Sequence, residues 1–136
     1  DPEMSRGLGD VYKRQYYNNP KGGIVVQIKY LEQDKLLFFS LEEEIDHHTT
    51  KDLRRKMDYE IERHMPKKVI FNFDSVSFMD SAGIGLLLGR YKIVNMLGGE
   101  VALINVKKSV KKVLDMCGIL KLIHIYDDLD MKFNVC

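Results

Sequence analysis

The chain has 136 residues, of which 45% are hydrophobic and 30% are charged. This length is typical of one domain, and the apolar fraction is large enough for a single packed core. A formal net charge of +1 does not indicate a protein that coats nucleic acid, and the apolar runs are too short to span a membrane.

The first fifteen residues differ from the rest of the chain. They show no apolar period and no signal-peptide core, and the first methionine is Met4. The segment resembles an expression remnant or a translated adapter sequence. We therefore predict that residues 1–15 are a non-native or disordered extension, and that residues 20–136 form a single domain.

Two apolar segments come next, and they predict an N-terminal hairpin. Residues 24–30 and 35–41 are rich in β-branched and aromatic side chains, and residues 32–34 supply a polar turn between them. An acidic loop follows, in which Asp46 or Thr49 can cap a helix through its side-chain oxygen.

The first predicted helix has a clear apolar face and a clear end. Four apolar residues recur every four positions, and Pro66 stops the segment because proline breaks a helix interior. The apolar positions are Leu53, Met57, Ile61 and Met65.

A buried strand and a second helix form the middle of the chain. Residues 69–73 are a nearly continuous apolar run, typical of a strand covered on both faces. A helix starting near Ser81 should end at Gly98 and Gly99, where a left-handed cap needs no Cβ. Its predicted buried stripe is Ile84, Leu87, Leu88, Tyr91, Val94 and Leu97.

Two glycines lie inside that second helix. Gly85 and Gly89 each cost roughly 0.8 to 1 kcal/mol of helix propensity relative to alanine. We therefore expect some neighbour to approach the helix closely at these positions, and that neighbour can be internal or a partner.

The remaining elements complete an α/β pattern. Residues 101–106 repeat the buried-strand pattern, Ser109 can cap a third helix that ends at Gly118, and residues 122–126 supply a last strand. The order of elements predicts a mixed, mostly parallel sheet of about five strands, with helices packed against it.

The glycines after the central strand invite a nucleotide-loop interpretation, but the spacing argues against it. Neither the dinucleotide fingerprint nor the phosphate-binding P-loop motif is present. The nucleophile elbow of serine hydrolases also fails, because Met79 stands where its first glycine belongs. The glycines therefore favour packing or a partner surface.

The histidine and cysteine side chains do not form a metal-binding pattern. His47 and His48 are adjacent, so at a helix start they point in different directions, and no third ligand follows at helical spacing. Cys117 and Cys136 do not form a metal-type pair and are expected to be reduced. We assign no metal, no cofactor and no catalytic residue.

A basic cluster lies at the third helix. Lys107, Lys108, Lys111 and Lys112 can meet a phosphate or an acidic protein surface. A solvated helix face is the preferred interpretation of such a charge run.

Ser81 is the residue around which these elements are arranged. Its hydroxyl is predicted where a strand turns into a helix, beside free backbone N–H groups and the positive end of a helix dipole, which suit a phosphate. Considered without any relative, Ser81 is best interpreted as a helix cap.

Two motifs resemble a known family. Residues 78–92, FMDSAGIGLLLGRYK, closely resemble bacterial anti-sigma factor antagonists of the STAS domain family, and most of all those of sporulation. Residues 44–49, EIDHHT, match a second motif, and the similarity extends from about residue 24 to residue 126. The resemblance implies the STAS fold and a protein that captures an anti-sigma factor, which is also a serine kinase, so that the sigma factor is released.

The resemblance also assigns roles to residues. It implies that the kinase phosphorylates Ser81, and that Glu44 and Asp46 lie beside this loop and contact the kinase. Ala82 stands where close relatives often have a second serine, which leaves Ser81 as the one acceptor in the motif, and Glu43 replaces a frequent glycine. The further partner-binding residues expected are Asp80, Ala82, Gly83, Ile84 and Gly85.

The implied protein is a phosphoacceptor rather than an enzyme. We expect a cytoplasmic monomer that meets an anti-sigma factor/serine kinase and a serine phosphatase, with no contact to nucleic acid or membrane. Two alternatives remain open: a STAS module of a stress-signalling scaffold with another kinase, and a domain that binds or hydrolyses a nucleotide or ester with Ser81, Asp46 and a loop histidine.

Overall fold

A mixed β-sheet with its strands in sequential order organises the part of the chain that the computed structural model describes, which is residues 12–18, 24–42 and 47–126. Six strands belong to it within these ranges: β1 Tyr12–Asn18, β2 Ile24–Leu31, β3 Leu36–Leu41, β4 Lys68–Asn72, β5 Glu100–Ile104 and β6 His124–Tyr126.

The pairing of the strands confirms the predicted hairpin and the mostly parallel sheet. β2 and β3 are antiparallel, with Val26 opposite Leu41 and Leu31 opposite Leu36. β3, β4, β5 and β6 then pair in parallel. The carboxyl ends of β3, β4 and β5 therefore meet at one edge of the sheet, and the loops that follow them lie side by side.

β1 was not predicted. It pairs antiparallel with β2 from Tyr12 to Asn18, so residues 12–15 of the segment set aside as an extension belong to the sheet. An edge strand is held by its backbone ladder and needs no apolar period, so hydrophobic periodicity does not predict it. Residues 1–11 lie outside the described ranges, and the origin of the segment stays a prediction.

Three α-helices and a short 3₁₀-helix connect the described strands. They are α1 His47–His64, α2 Ser81–Met96, α3 Lys108–Met116 and the 3₁₀-helix Ile119–Lys121. The left-handed glycines that we expected at two helix ends are present, with φ of 84° at Gly98 and 76° at Gly118. The predicted cap at Ser109 is wrong: α3 begins after Lys107, and no side chain caps it.

The larger core lies between one face of the sheet and the helices. It includes the stacked rings of Phe39 and Phe71, whose centroids are 5.4 Å apart. The helices contribute, among others, Leu53, Met57, Ile61, Leu87, Val94, Val110 and Leu114. A smaller cluster of buried residues occupies the opposite face of the sheet and consists of Leu36, Phe38, Ile70, Ala102 and Ile104.

The buried residues of α2 differ from the predicted apolar stripe, and they include a residue outside it. Ile84, Leu87 and Val94 are buried as expected, whereas Leu97 is 38% exposed. Arg90 is buried although it is charged, because α2 packs against α1 as well as against the sheet.

A buried ion pair joins these two helices. Arg90 is 3% exposed, and its Nε lies 2.6 Å from Oδ1 of Asp58 in α1. The contact is an ion pair rather than a well-aligned hydrogen bond, and Nη1 of Arg90 has no hydrogen-bond partner among the described residues. Loss of solvation raises the pKa of Asp58 and lowers the pKa of Arg90, and the attraction between the two charges offsets only part of each shift. The pair fixes how α2 is rotated against α1.

Candidate functional site

The candidate site is the loop between β4 and α2, at the carboxyl edge of the parallel strands. Phe73, Val76 and Met79 turn inward and are 2% exposed or less. The backbone N–H of Phe73 donates to the carbonyl of Ile104 at 3.0 Å, which attaches the start of the loop to β5. Buried side chains and backbone bonds thus hold this loop against the core.

Side-chain amides join the ends of three strands beneath the loop. Asn72 donates through Nδ2 to Oγ of Ser40 at 2.9 Å and accepts at Oδ1 from Nδ2 of Asn105 at 2.8 Å. The same Oδ1 accepts from the backbone N–H of Asp74 at 3.1 Å. Asn105 has a φ of 58°, a left-handed conformation that asparagine tolerates better than most residues. These bonds connect β3, β4 and β5 to the loop.

The first turn of α3 is attached to the same loop. The hydroxyl of Ser109, which does not cap the helix, donates to the backbone carbonyl of Ser77 at 2.9 Å. The ammonium group of Lys107 donates to the carbonyl of Asp74. The basic end of α3 therefore lies beside the loop that leads to Ser81.

Asp80 caps α2, and this corrects the expectation for Ser81. Asp80 has extended backbone angles, and its Oδ1 accepts from the N–H groups of Ala82 and Gly83 at 2.9 and 3.4 Å. Ser81 is instead the first residue of the helix, and its side chain is exposed. The N–H groups of Ala82 and Gly83, expected to be free for a phosphate, are already bound to a carboxylate.

The expected partner-binding residues differ in how much surface they offer. Gly85 is exposed, one helical turn after Ser81 on the same side of α2, while Asp80 and Ala82 are half-buried. Gly83 and Ile84 are buried. A Cβ at Gly83 would lie 2.6 Å from Cγ of Met79, so this glycine makes room for the loop. Glu44 and Asp46 lie outside the described residues.

The two interior glycines of α2 face open space. Apart from the chain neighbours and the helix's own backbone, no atom of the described residues lies within 4 Å of a Cβ built at Gly85 or at Gly89. Within the described part of the chain, no internal neighbour therefore accounts for these glycines. Of the two neighbours that we expected, internal or partner, the partner remains as the explanation.

Phe78 is the feature of this loop that the sequence analysis missed. Its side chain is 61% exposed, three residues before Ser81. The other phenylalanines in the described ranges are 7% exposed or less: Phe38, Phe39, Phe71 and Phe73. Apolar and polar residues do not alternate regularly from Val76 to Asp80. The local sequence pattern therefore does not indicate that the Phe78 side chain is exposed.

The helices offer no membrane span. Within residues 47–126, where the described helices lie, none is both long and apolar enough to cross a bilayer.

Comparisons with known proteins agree with this geometry. The model of the STAS domain family matches residues 27–131. The anti-sigma F factor antagonist of Paenibacillus polymyxa is 39% identical over 103 residues, which are 76% of this chain and 88% of that relative.

Two solved structures share the fold and more than a quarter of the aligned residues. The anti-sigma factor antagonist SpoIIAA in its unphosphorylated form is 28% identical, with a TM-score of 0.66, over 77% of this chain and 90% of the other. The Bacillus cell fate determinant SpoIIAA in its phosphorylated form is 27% identical, with a TM-score of 0.63, over 82% and 99%. The expected α/β sheet with an N-terminal hairpin is therefore confirmed as the STAS fold.

Proposed function

This chain belongs to the STAS domain family, and we propose that it is an anti-sigma factor antagonist that is switched by phosphorylation of Ser81. The unphosphorylated protein binds an anti-sigma factor that is also a serine kinase, and so releases the sigma factor. Phosphorylation of Ser81 ends this binding. The chain is the substrate, and the kinase supplies ATP, Mg²⁺ and the catalytic groups.

One observation carries the proposal. Ser81 is an exposed hydroxyl on the first residue of α2, held by a capped helix end, in a chain 39% identical to an anti-sigma F factor antagonist. The similarity to SpoIIAA, which has been solved in both phosphorylation states, supports a switch of this kind.

The physical basis of the switch is charge at an interface. A phosphoserine adds roughly 1.5 to 2 negative charges at neutral pH. The Asp80 carboxylate is adjacent to Ser81 and already occupies two of the helix N–H groups, so the start of α2 offers little to neutralise the new charge. An unpaired charge in a protein interface can cost several kcal/mol, and a hundredfold loss of affinity needs only about 2.8 kcal/mol.

Several further assignments belong to this proposal. Glu44, Asp46, Asp80, Ala82 and Gly85 contact the kinase, while Gly83 and Ile84 shape the start of the helix from inside. A serine phosphatase restores the hydroxyl. The protein acts in the cytoplasm as a monomer, without a cofactor, and its single functional domain comprises β1 together with residues 20–136.

Phosphorylation by a kinase tests the proposal. The anti-sigma F factor of Paenibacillus polymyxa, with Mg²⁺ and ATP, should add one phosphate to the wild-type protein, and mass mapping should locate it on Ser81. Ser81→Ala should bind the kinase with wild-type affinity and accept no phosphate. Ser81→Asp should bind at least about tenfold more weakly, because even one negative charge is costly in the interface.

The neighbouring serine provides the control. Ser75 is also exposed in this loop, and Ser75→Ala should be phosphorylated like the wild type. Phosphorylation of Ser81→Ala at the wild-type rate would show that the acceptor lies elsewhere.

A further inference from the structure

We propose that Phe78 and the lysines of α3 form one docking surface for the kinase, in addition to the residues already assigned. We call Phe78, Lys108, Lys111 and Lys112 the basic-aromatic patch. It fits a partner surface with an apolar pocket bordered by carboxylates. This inference rests on the proposed function, since the kinase is the occupant.

Phe78 has the properties of an interface anchor. Its ring is 61% exposed, while the next residue, Met79, is 2% exposed and packs inside. The backbone around Phe78 is held by the bond from Ser109 to the carbonyl of Ser77 on one side and by the Asp80 cap on the other. An aromatic side chain on an ordered loop loses little conformational entropy on binding, and such residues contribute strongly to interfaces.

The lysines provide a charged border for this anchor. Ser109 and Lys112 are three residues apart and share one side of α3, so the bond from Ser109 to Ser77 brings this side of the helix next to Phe78. Val110 and Leu114 face the core, and Lys108, Lys111 and Lys112 are exposed. None of these three lysines forms an ion pair with a carboxylate in the described part of the chain.

The local charge balance identifies the chemistry of the partner. α3 and its N-cap carry four lysines, at positions 107, 108, 111 and 112, against the single acid Asp115, whereas the whole chain has a net charge of only +1. A concentrated positive surface attracts a negative one and speeds encounter. The matching partner surface is therefore acidic, with an apolar recess for the ring.

The kinase is the partner that must cover this patch. To phosphorylate Ser81, its active site has to reach the hydroxyl. Phe78 is three residues away, so its Cα lies within about 11 Å of that of Ser81 even if the chain is fully extended. A kinase domain that places its active site on Ser81 also covers the surface within this distance. The exposed ring of Phe78 then becomes part of the contact.

Binding measurements on unphosphorylated variants test the aromatic part of the patch. With the anti-sigma F factor of Paenibacillus polymyxa as the probe in isothermal titration calorimetry, Phe78→Ala should bind at least about tenfold more weakly. The matched control is Met96→Ala, which removes an 84% exposed side chain at the opposite end of α2 and should leave the affinity unchanged. Thermal unfolding checks that both variants are folded.

A charge reversal tests the basic part. Lys112→Glu should bind about fivefold more weakly at low salt, and its difference from the wild type should shrink at high salt because ions screen exposed charges. Thermal unfolding of Lys112→Glu distinguishes lost binding from a weakened α3. Lys67→Glu is the control, because Lys67 is exposed at the other end of the parallel strands and should bind like the wild type.

The outcomes separate the two proposals. If the wild-type protein does not bind the anti-sigma F factor, the proposed function fails, and this inference fails with it. If the wild type binds and either Phe78→Ala or Lys112→Glu stays within about twofold of its affinity, the docking surface is overturned while the proposed function stands.

Discussion

At the scale of single residues, the carboxylate of Asp80 does two things. It stabilises α2 by accepting from two backbone N–H groups, and it places a negative charge directly before Ser81. The first task holds the hydroxyl at a fixed position on the surface. The second makes the surroundings of Ser81 unfavourable for a phosphate, so that the modified form carries a concentrated negative charge toward its partner.

The cap can be tested separately from the charge. Asp80→Ala should lower the free energy of unfolding by about 1 kcal/mol, because the N–H groups of Ala82 and Gly83 lose their acceptor. Asp80→Asn keeps an oxygen at the cap and should stay within about 0.5 kcal/mol of the wild type. Urea denaturation measures both values, and equal stability of the alanine variant would contradict the assigned cap.

The sequence motif predicted Ser81 as the acceptor, which stays a prediction, but it did not predict the local geometry at Ser81. Asp80 and Ser81 are adjacent, and aspartate and serine are about equally good caps, so propensity alone does not decide which of them begins the helix. The choice depends on where the loop leaves the core, which Met79 and Val76 determine by packing inside. Exposure of Phe78 follows from the same packing, and no local pattern signals it.

At the scale of elements, α2 combines a buried side with an open one. Arg90 and Asp58 fix its rotation against α1, and Ser81 and Gly85 then lie on the outward side. Interior glycines weaken a helix, and here no described neighbour accounts for them. The loss of helix propensity at these glycines is consistent with a helix surface that has no side chains there, so that a partner can approach the backbone closely.

Alanine substitutions distinguish stability from binding on this helix. Gly85→Ala and Gly89→Ala should each raise the free energy of unfolding by up to about 1 kcal/mol, because alanine favours the helix and meets no described atom. Both variants should nevertheless weaken kinase binding, Gly85→Ala several-fold and Gly89→Ala less because it lies one turn farther from Ser81, while Met96→Ala serves as the control. A loss of stability in either variant would mean that the helix is more crowded than the described residues indicate.

Most elements could be predicted because hydrophobic periodicity specified them. The predicted strand at residues 69–73 differs from β4, Lys68–Asn72, by one residue at each end. β1 could not be predicted this way, since an edge strand depends on an available backbone neighbour rather than on its own pattern. The burial of Arg90 also escaped prediction, because its partner Asp58 lies in another helix and no helical stripe reveals that contact.

At the scale of the whole molecule, the site and the core are separated. The large side chains of the core lie between the helices and one face of the sheet, and Ser81 lies at the carboxyl edge of the parallel strands. Both solved forms of SpoIIAA, unphosphorylated and phosphorylated, share this fold with TM-scores of 0.66 and 0.63 to this chain. A change confined to Ser81 therefore has little packed structure to disturb.

Phosphorylation should accordingly leave the global stability nearly unchanged. We expect the free energies of unfolding of the phosphorylated and unphosphorylated proteins to agree within about 1 kcal/mol, because the favourable helix dipole partly offsets the repulsion from Asp80. Urea denaturation of the two purified forms measures this difference. A change of several kcal/mol would mean that the switch acts by unfolding part of the domain instead of by charge at the interface.

The Asp80 cap also bears on how long a signal lasts. A phosphoryl group enclosed by backbone donors would be slow to remove, and the protein itself would then store the off state. Here Asp80 has taken the N–H groups of Ala82 and Gly83, and Ser81 is exposed, so a phosphate on it is as open to a hydrolysing enzyme as the hydroxyl is to a kinase. Under the proposed switch, the amount of phosphatase in the cell would set the lifetime of the off state, and the duration of the response could be adjusted without any change in this protein.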